Sequence, residues 1–207
     1  MSHLSKTIFV FDIDSTIANN DHRAVLLTKH CQLCGTLVEG HGHRAPCPSC
    51  GYDKHHTPQR CWDAFLSPEL LLKDEPIADA QRLIKHLREM KMKFHFITGR
   101  NEKLRLPTEQ WLSTHFAWPG DDKWSEHLYM RPESMDSVPA SQCKEHLLQL
   151  LIKDYRLVPS VDRFVFFEDD KHVFGMYRKY GLVVQCPEGL KYFCPEWDTT
   201  VEPSWKR

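Results

Sequence analysis

Residues 8–17 read "IFVFDIDSTI". Four β-prone apolar residues in a row spell a short strand buried on both faces, as in a parallel sheet. The run ends in two carboxylates one residue apart, Asp12 and Asp14, followed by Ser15 and Thr16. Buried acids are costly unless something pairs with them, so a strand ending this way predicts a site with partners elsewhere in the chain. On an extended segment the two side chains point to opposite faces. Where a strand turns into a loop, both can face one pocket.

The partners are sought at other strand ends. "KFHFITGR" (93–100) predicts a second strand with alternating apolar positions, ending in Thr98 and Arg100. "HLYMR" (127–131) predicts a third, ending in Arg131, and "DRFVFFEDD" (162–170) a fourth, ending in Glu168, Asp169 and Asp170. "LVVQC" (182–186) predicts a last strand. Between them, Ile77, Ala80, Leu83, Ile84 and Leu87 fall at helical spacing. "PTEQWLSTHF", "CKEHLLQLLIKDY" and "HVFGMYRKYG" predict further helices, the last stopped by Gly181. "DHRAVLLTKH" reads as a helix opening with Asp21 in the cap position. Strand–helix alternation of this kind predicts an α/β fold, a Rossmann-like parallel sheet with helices on both faces. In such sheets ligands bind at the carboxyl ends of the strands, where these polar residues lie.

The chain has 207 residues, 27 Lys+Arg against 28 Asp+Glu, so net charge supplies no argument for a nucleic-acid or membrane surface. No apolar run approaches a membrane span, and "MSHLSKT" has no signal-peptide pattern. A soluble, cytoplasmic protein with no membrane partner is the expectation.

Together these groups have a definite chemistry. Clustered hard oxygen ligands suit Mg²⁺. A cation lowers the repulsion between an anionic nucleophile and an anionic substrate, while Thr98 and Lys144 can hold phosphoryl oxygens. A carboxylate nucleophile can then form an aspartyl-phosphate. The ordered set "DIDST" (Asp12, Asp14, Thr16), "ITGR" (Thr98), Lys144 and "FFEDD" resembles the four motifs of haloacid dehalogenase-like (HAD) phosphohydrolases. The resemblance implies Asp12 as nucleophile and Asp14 as general acid, then base. It implies Thr98 and Lys144 as phosphoryl holders. Mg²⁺ would be held by Asp12, the Asp14 carbonyl and Asp169, with Glu168 and Asp170 beside them. "ANNDHR", "CWDAF", "TGR" and "MRPESMDSVPASQCK" further resemble the phosphatase domain of phage-type polynucleotide kinase-phosphatases. That resemblance implies Arg100 and Arg131, with Thr16, as substrate-binding residues. The sequence departs from the pattern in Ser15, where glycine is commoner, in the three-acid run 168–170, and in having no Walker A loop.

Residues 31–50, "CQLCGTLVEGHGHRAPCPSC", form a C-x2-C-x12-C-x2-C pattern. Each CxxC offers two thiolates, and two such knuckles complete a tetrahedral Zn²⁺ site, here Cys31, Cys34, Cys47 and Cys50. The surrounding residues 30–58 are poor in large apolar side chains, so metal would replace a core. The expected organisation is a HAD core of residues 1–20 and 72–190, a cap insertion of 21–71 with a zinc ribbon over about 30–52, and a C-terminal tail of 191–207. Trp62 and Phe65, at helical spacing, are expected to pack inside the cap.

The expected function is a Mg²⁺-dependent phosphomonoester hydrolase acting on a phosphorylated nucleic acid or nucleotide, with a polynucleotide 3′-phosphatase favoured. Free nucleotides or another small metabolite are the alternative substrates. An alternative of another class is a catalytically silent HAD scaffold that binds nucleic acid or protein through its zinc ribbon.

Overall fold

A computed structural model describes residues 6–27, 29–38, 49, 50, 55–116 and 124–186. The tail and Cys47 lie outside the described residues. In chain order the elements begin with β1 (Thr7–Phe11), β2 (Ala18–Asn19), α1 (Asp21–Ala24), β3 (Lys29–Cys31), β4 (Leu37–Val38) and β5 (His55–His56). Next come α2 (Gln59–Phe65), α3 (Pro68–Leu71), β6 (Glu75–Pro76), α4 (Ala78–Glu89), β7 (Lys93–Asn101) and α5 (Arg105–Phe116). The series ends with α6 (Trp124–His127), β8 (Leu128–Arg131), α7 (Ala140–Asp154), β9 (Arg163–Glu168), α8 (Lys171–Tyr177) and β10 (Gly181–Gln185). The chain divides into two compact units, one within residues 1–19 and 75–207, the other within 20–74.

The first unit is built on a five-stranded sheet of order β10-β9-β1-β7-β8, every pair parallel. This is the Rossmann-like HAD architecture expected. β1 lies centrally, with Val10 beside His95 of β7 and Phe166 of β9. One face buries Ile8, Val10, Ile97, Phe164 and Phe166 with Leu147, Leu148 and Leu151 of α7 and Val173 and Tyr177 of α8. Phe166 and Tyr177 stack with centroids 4.1 Å apart. Phe11, Phe94, Phe96 and Phe167 form an aromatic cluster, with Phe11 stacked on Phe167 at 4.5 Å.

Three local expectations are corrected. β7 does not alternate: Phe94 through Thr98 are all buried, because an inner parallel strand is covered on both faces. α8 ends at Tyr177, and Gly181 opens β10 instead of capping the helix. A Cβ on Gly181 would lie 2.2 Å from the Phe164 carbonyl oxygen, so close strand approach is what requires glycine there. α1 is a single turn, with Asn20 in the cap position and Asp21 already helical.

Two helices stop without glycine. Lys91 (φ 55°) and Arg156 (φ 50°) take the left-handed conformation after α4 and α7. Met92 N–H donates to Leu87 O and Lys91 N–H to Arg88 O, while Leu157 N–H donates to Ile152 O and Arg156 N–H to Lys153 O. Both are Schellman ends.

In the second unit β3 pairs antiparallel with β4 and with β5. Arg23 is buried and binds Asp74 through two bonds, Nε to Oδ1 at 2.7 Å and Nη2 to Oδ2 at 2.8 Å. Its Nη1 donates to Phe65 O at 3.2 Å, and the guanidinium lies 4.3 Å from the Phe65 ring centroid. This pair joins the first and last turns of the unit. Phe65 is thus packed within the insertion as expected, whereas Trp62, edge-on to Phe65 at 6.0 Å, remains 41% exposed.

Candidate active site

The site grows from the end of β1. Asp12 N–H donates to Phe167 O at 2.9 Å, which prolongs the strand pairing by one residue. The chain then turns sharply: the N–H groups of Thr16, Ile17 and Ala18 all donate to Ile13 O. Ser15 sits in this turn at φ 58°, a left-handed conformation that costs a residue with a Cβ about 1–2 kcal/mol. The preference for glycine at this position has that physical origin. The turn lets Asp12 and Asp14 escape the alternation of a strand.

Their environments differ. Asp12 is buried, and the Lys144 ammonium of α7 donates to its Oδ1 at 2.9 Å. The same ammonium donates to Glu168 Oε2, at the end of β9, at 2.6 Å. Asp14 is gripped by Arg100 from the end of β7, Nε to Oδ2 at 2.9 Å and Nη2 to Oδ1 at 2.8 Å. Asp169 accepts from Thr16 Oγ1 at 3.3 Å, and Asp170 caps α8 by accepting from His172 N–H at 2.9 Å. Thr98 is fully buried, and its hydroxyl accepts from Arg100 N–H at 3.2 Å. Direct bonds thus gather three groups, Asp12 with Lys144 and Glu168, Asp14 with Arg100 and Thr98, and Thr16 with Asp169. Arg131 stands apart: Nε donates to Gly99 O at 3.3 Å and Nη1 to Met135 O at 2.6 Å and Val138 O at 2.8 Å.

The three-acid run resolves into separate positions. Glu168 is spent on Lys144 and on Asp170 N–H (3.2 Å), and Asp170 caps a helix. Carboxylate oxygens of Asp12, Glu168 and Asp169 all lie within 4.8 Å of one another. Burial pushes the Asp12 carboxyl up to about 7, with Lys144 pulling it back and Glu168 and Asp14 pushing further. Burial, then the Asp12 charge, pushes Asp169 up to about 7 as well. Glu168 is also raised by burial, and Lys144 is raised well above its ordinary value by Asp12 and Glu168 in spite of its burial. Three acids against one ammonium leave two negative charges unbalanced when all are ionised. A divalent cation with hard oxygen ligands fits that excess.

The thiols of the insertion also converge. One ligand atom each of Cys31, Cys34 and Cys50 lies within 4.8 Å of the others, and the Cys31 and Cys50 sulfurs are 3.6 Å apart. A tetrahedron with Zn–S bonds of about 2.3 Å has S···S edges of about 3.8 Å. Leu33 N–H donates to Cys31 Sγ at 3.4 Å and Gly35, at φ 71°, turns the chain back, the form of a metal knuckle. The set fits zinc with Cys47 as the fourth thiolate, a position outside the described residues.

Two features went unread in the sequence. The Arg23–Asp74 pair was signalled only by an arginine inside "RAVLL" and an acid after "LLLK". His95, fully buried on β7 with both ring nitrogens lacking a hydrogen-bond partner, had no signal beyond a polar residue in an apolar strand.

No helix among the described residues is long and apolar enough to cross a membrane. No curated protein matches the chain. Among solved structures, a Pnkp1/Rnl/Hen1 complex matches with TM-score 0.50 and 12% identity over 91% of this chain and 48% of that one. The chain therefore spans about half the length of that first structural relative. CbbY from Rhodobacter sphaeroides in complex with phosphate matches with TM-score 0.51 and 14% identity, covering 86% of this chain and 85% of that one. A predicted phosphatase from Clostridium acetobutylicum gives TM-score 0.51 and 13% identity over 88% and 85%. At these identities the likeness is one of fold. The family model described as the polynucleotide kinase PNKP phosphatase domain matches residues 65–189, more than half of the chain, and through that match the chain belongs to the PNKP phosphatase family of HAD proteins.

Proposed function

We propose that the protein hydrolyses phosphomonoesters of nucleic acids or nucleotides through an aspartyl-phosphate on Asp12, with a polynucleotide 3′-phosphate as the favoured substrate. The observation that carries this reading is the placement of Asp12 at a strand end, on the Lys144 ammonium at 2.9 Å, with the Arg100-held Asp14 two residues on. The family match favours the polynucleotide.

Asp12 Oδ attacks phosphorus as the bond to the leaving oxygen breaks. Asp14 delivers its proton to that oxygen, then takes one from the water that attacks the aspartyl-phosphate and releases phosphate. Arg100 fixes the rotamer of Asp14, so the proton is aimed. Thr98 and Lys144 hold the transferring group. Glu168 keeps Lys144 aligned and Thr16 orients Asp169. Mg²⁺ would be held by Asp12 and Asp169. Its charge would hold Asp12 ionised despite burial and offset the charge of the phosphoryl group. In the insertion, Cys31, Cys34, Cys47 and Cys50 would hold a structural Zn²⁺.

The test is a panel of 3′- and 5′-phosphorylated oligonucleotides, mononucleotides and sugar phosphates assayed with Mg²⁺. Release of phosphate mainly from the 3′-oligonucleotide is expected. A preference for sugar phosphates overturns the nucleic-acid reading. Metal analysis of protein purified without chelators should find one zinc per chain, and its absence removes the ribbon.

A further inference from the structure

Arg131 resembles a phosphate-binding arginine in sequence, yet its bonds run to the protein's own backbone. Nε reaches Gly99 O, and Nη1 reaches Met135 O and Val138 O. Gly99 lies between Thr98 and Arg100 on β7. Met135 and Val138 lie in the segment that leads into α7, whose second turn carries Lys144. That segment is also tied by Asn101 Nδ2 to Asp136 Oδ1, and by Lys103 Nζ to Glu133 Oε2 at 3.3 Å. Pro139 precedes the helix and contributes no side-chain cap. The position of Lys144 is set by the packing of Leu147, Leu148 and Leu151 on the sheet together with the anchoring of the 132–139 segment that leads into the helix, and Arg131 bonds that segment at two carbonyls. A guanidinium suits the task because its donors form a rigid planar fork.

We propose that Arg131 is a positioning residue, not a phosphate ligand: it staples the strand that carries Thr98 and Arg100 to the segment that sets the reach of Lys144. The proposal rests on the phosphatase reading given above. It accounts for why an arginine at the end of an edge strand makes backbone bonds on both sides of the site.

The experiment is a double-mutant cycle on phosphate release from an aryl phosphate and from a 3′-phosphorylated oligonucleotide, with Mg²⁺. The proteins are the parent, Arg131→Met, Lys144→Ala and the double variant, with melting followed alongside. Misplacing Lys144 by a fraction of its reach is expected to lower kcat by about 10- to 100-fold. KM should stay within about threefold, and adding Arg131→Met to Lys144→Ala should cost less than about threefold. Losses that multiply, or a KM that rises with kcat unchanged, overturn the proposal by showing direct substrate contact. A lower melting temperature with parental kcat in the folded protein overturns it by showing a role in stability alone. Arg131→Gln, which keeps an amide donor, runs through the same cycle and decides in the same way if Arg131→Met does not fold. A parent protein inactive on both substrates removes the phosphatase reading itself, whereas an active parent with multiplying losses removes only the role of Arg131.

Discussion

His95 makes the stability of this fold depend on pH in a calculable way. It is fully buried on β7, stacked on His127 at 5.1 Å and edge-on to Tyr155 at 4.4 Å, and neither ring nitrogen has a hydrogen-bond partner. Burial, then the neighbouring His127 and Lys93, push its imidazole from 6.5 down to about 3. The folded protein thus keeps His95 neutral while the unfolded chain takes up a proton below pH 6.5. The contribution is complete above that pH and is lost progressively as pH falls toward 3. At about 1.4 kcal/mol per tenfold in proton affinity, the whole span is worth roughly 5 kcal/mol, and about 2 kcal/mol is already lost at pH 5. Asp12 and Asp169 act with the opposite sign, since a raised carboxyl takes up its proton in the folded state first, so the total slope is a difference. His95→Phe isolates the term. Urea unfolding of parent and variant at pH 7 and pH 5 should show the variant gaining about 2 kcal/mol on the parent between the two. Equal changes in both proteins would show that His95 does not couple stability to pH.

Four other substitutions test how the chain is held. Gly181→Ala pushes a methyl against the Phe164 carbonyl and should cost about 1–3 kcal/mol, read as a lower urea midpoint. Arg156→Gly and Lys91→Gly relieve left-handed backbone at two helix ends and should each raise stability by about 0.5–1 kcal/mol after the added chain entropy. A fall in melting temperature would contradict the assignment of those ends. Asp74→Ala strands the buried Arg23 guanidinium and should cost about 3–5 kcal/mol, with amide exchange accelerated first in residues of the insertion.

How far the sequence carried can be judged from single elements. β1 was legible because its apolar run has the length of a buried strand, and the cost of burying Asp12 beside it is met only where a site gathers cations. α4 was legible because Ala80, Ile84 and Leu87 repeat at the helical period and are buried. The ends of α4 and α7 were not legible, because Lys91 and Arg156 occupy left-handed positions that glycine usually announces. Gly181 was misread for the complementary reason: a glycine after a helix suggests a cap, while the need here is a carbonyl 2.2 Å from where a Cβ would stand. The types of the site residues were readable and their pairings were not. Sequence position cannot say that Arg100 grips Asp14, that Lys144 bridges Asp12 and Glu168, or that Arg131 turns to backbone carbonyls, because those are choices among donors settled by packing. The same holds for 168–170, where Lys144 claims Glu168 and α8 claims Asp170, leaving Asp169 beside Asp12.

Everything proposed for this site turns on Asp12 carrying the phosphoryl group. The direct measurement is acid quench of the protein during turnover of a ³²P-labelled phosphomonoester with Mg²⁺, followed by reduction with borohydride and peptide mapping. Label, or after reduction its homoserine product, is expected on the peptide containing Asp12 and not in Asp12→Asn, whose phosphate release should fall at least about 1,000-fold. Turnover at the parental rate in Asp12→Asn, or label on any other residue, would contradict it.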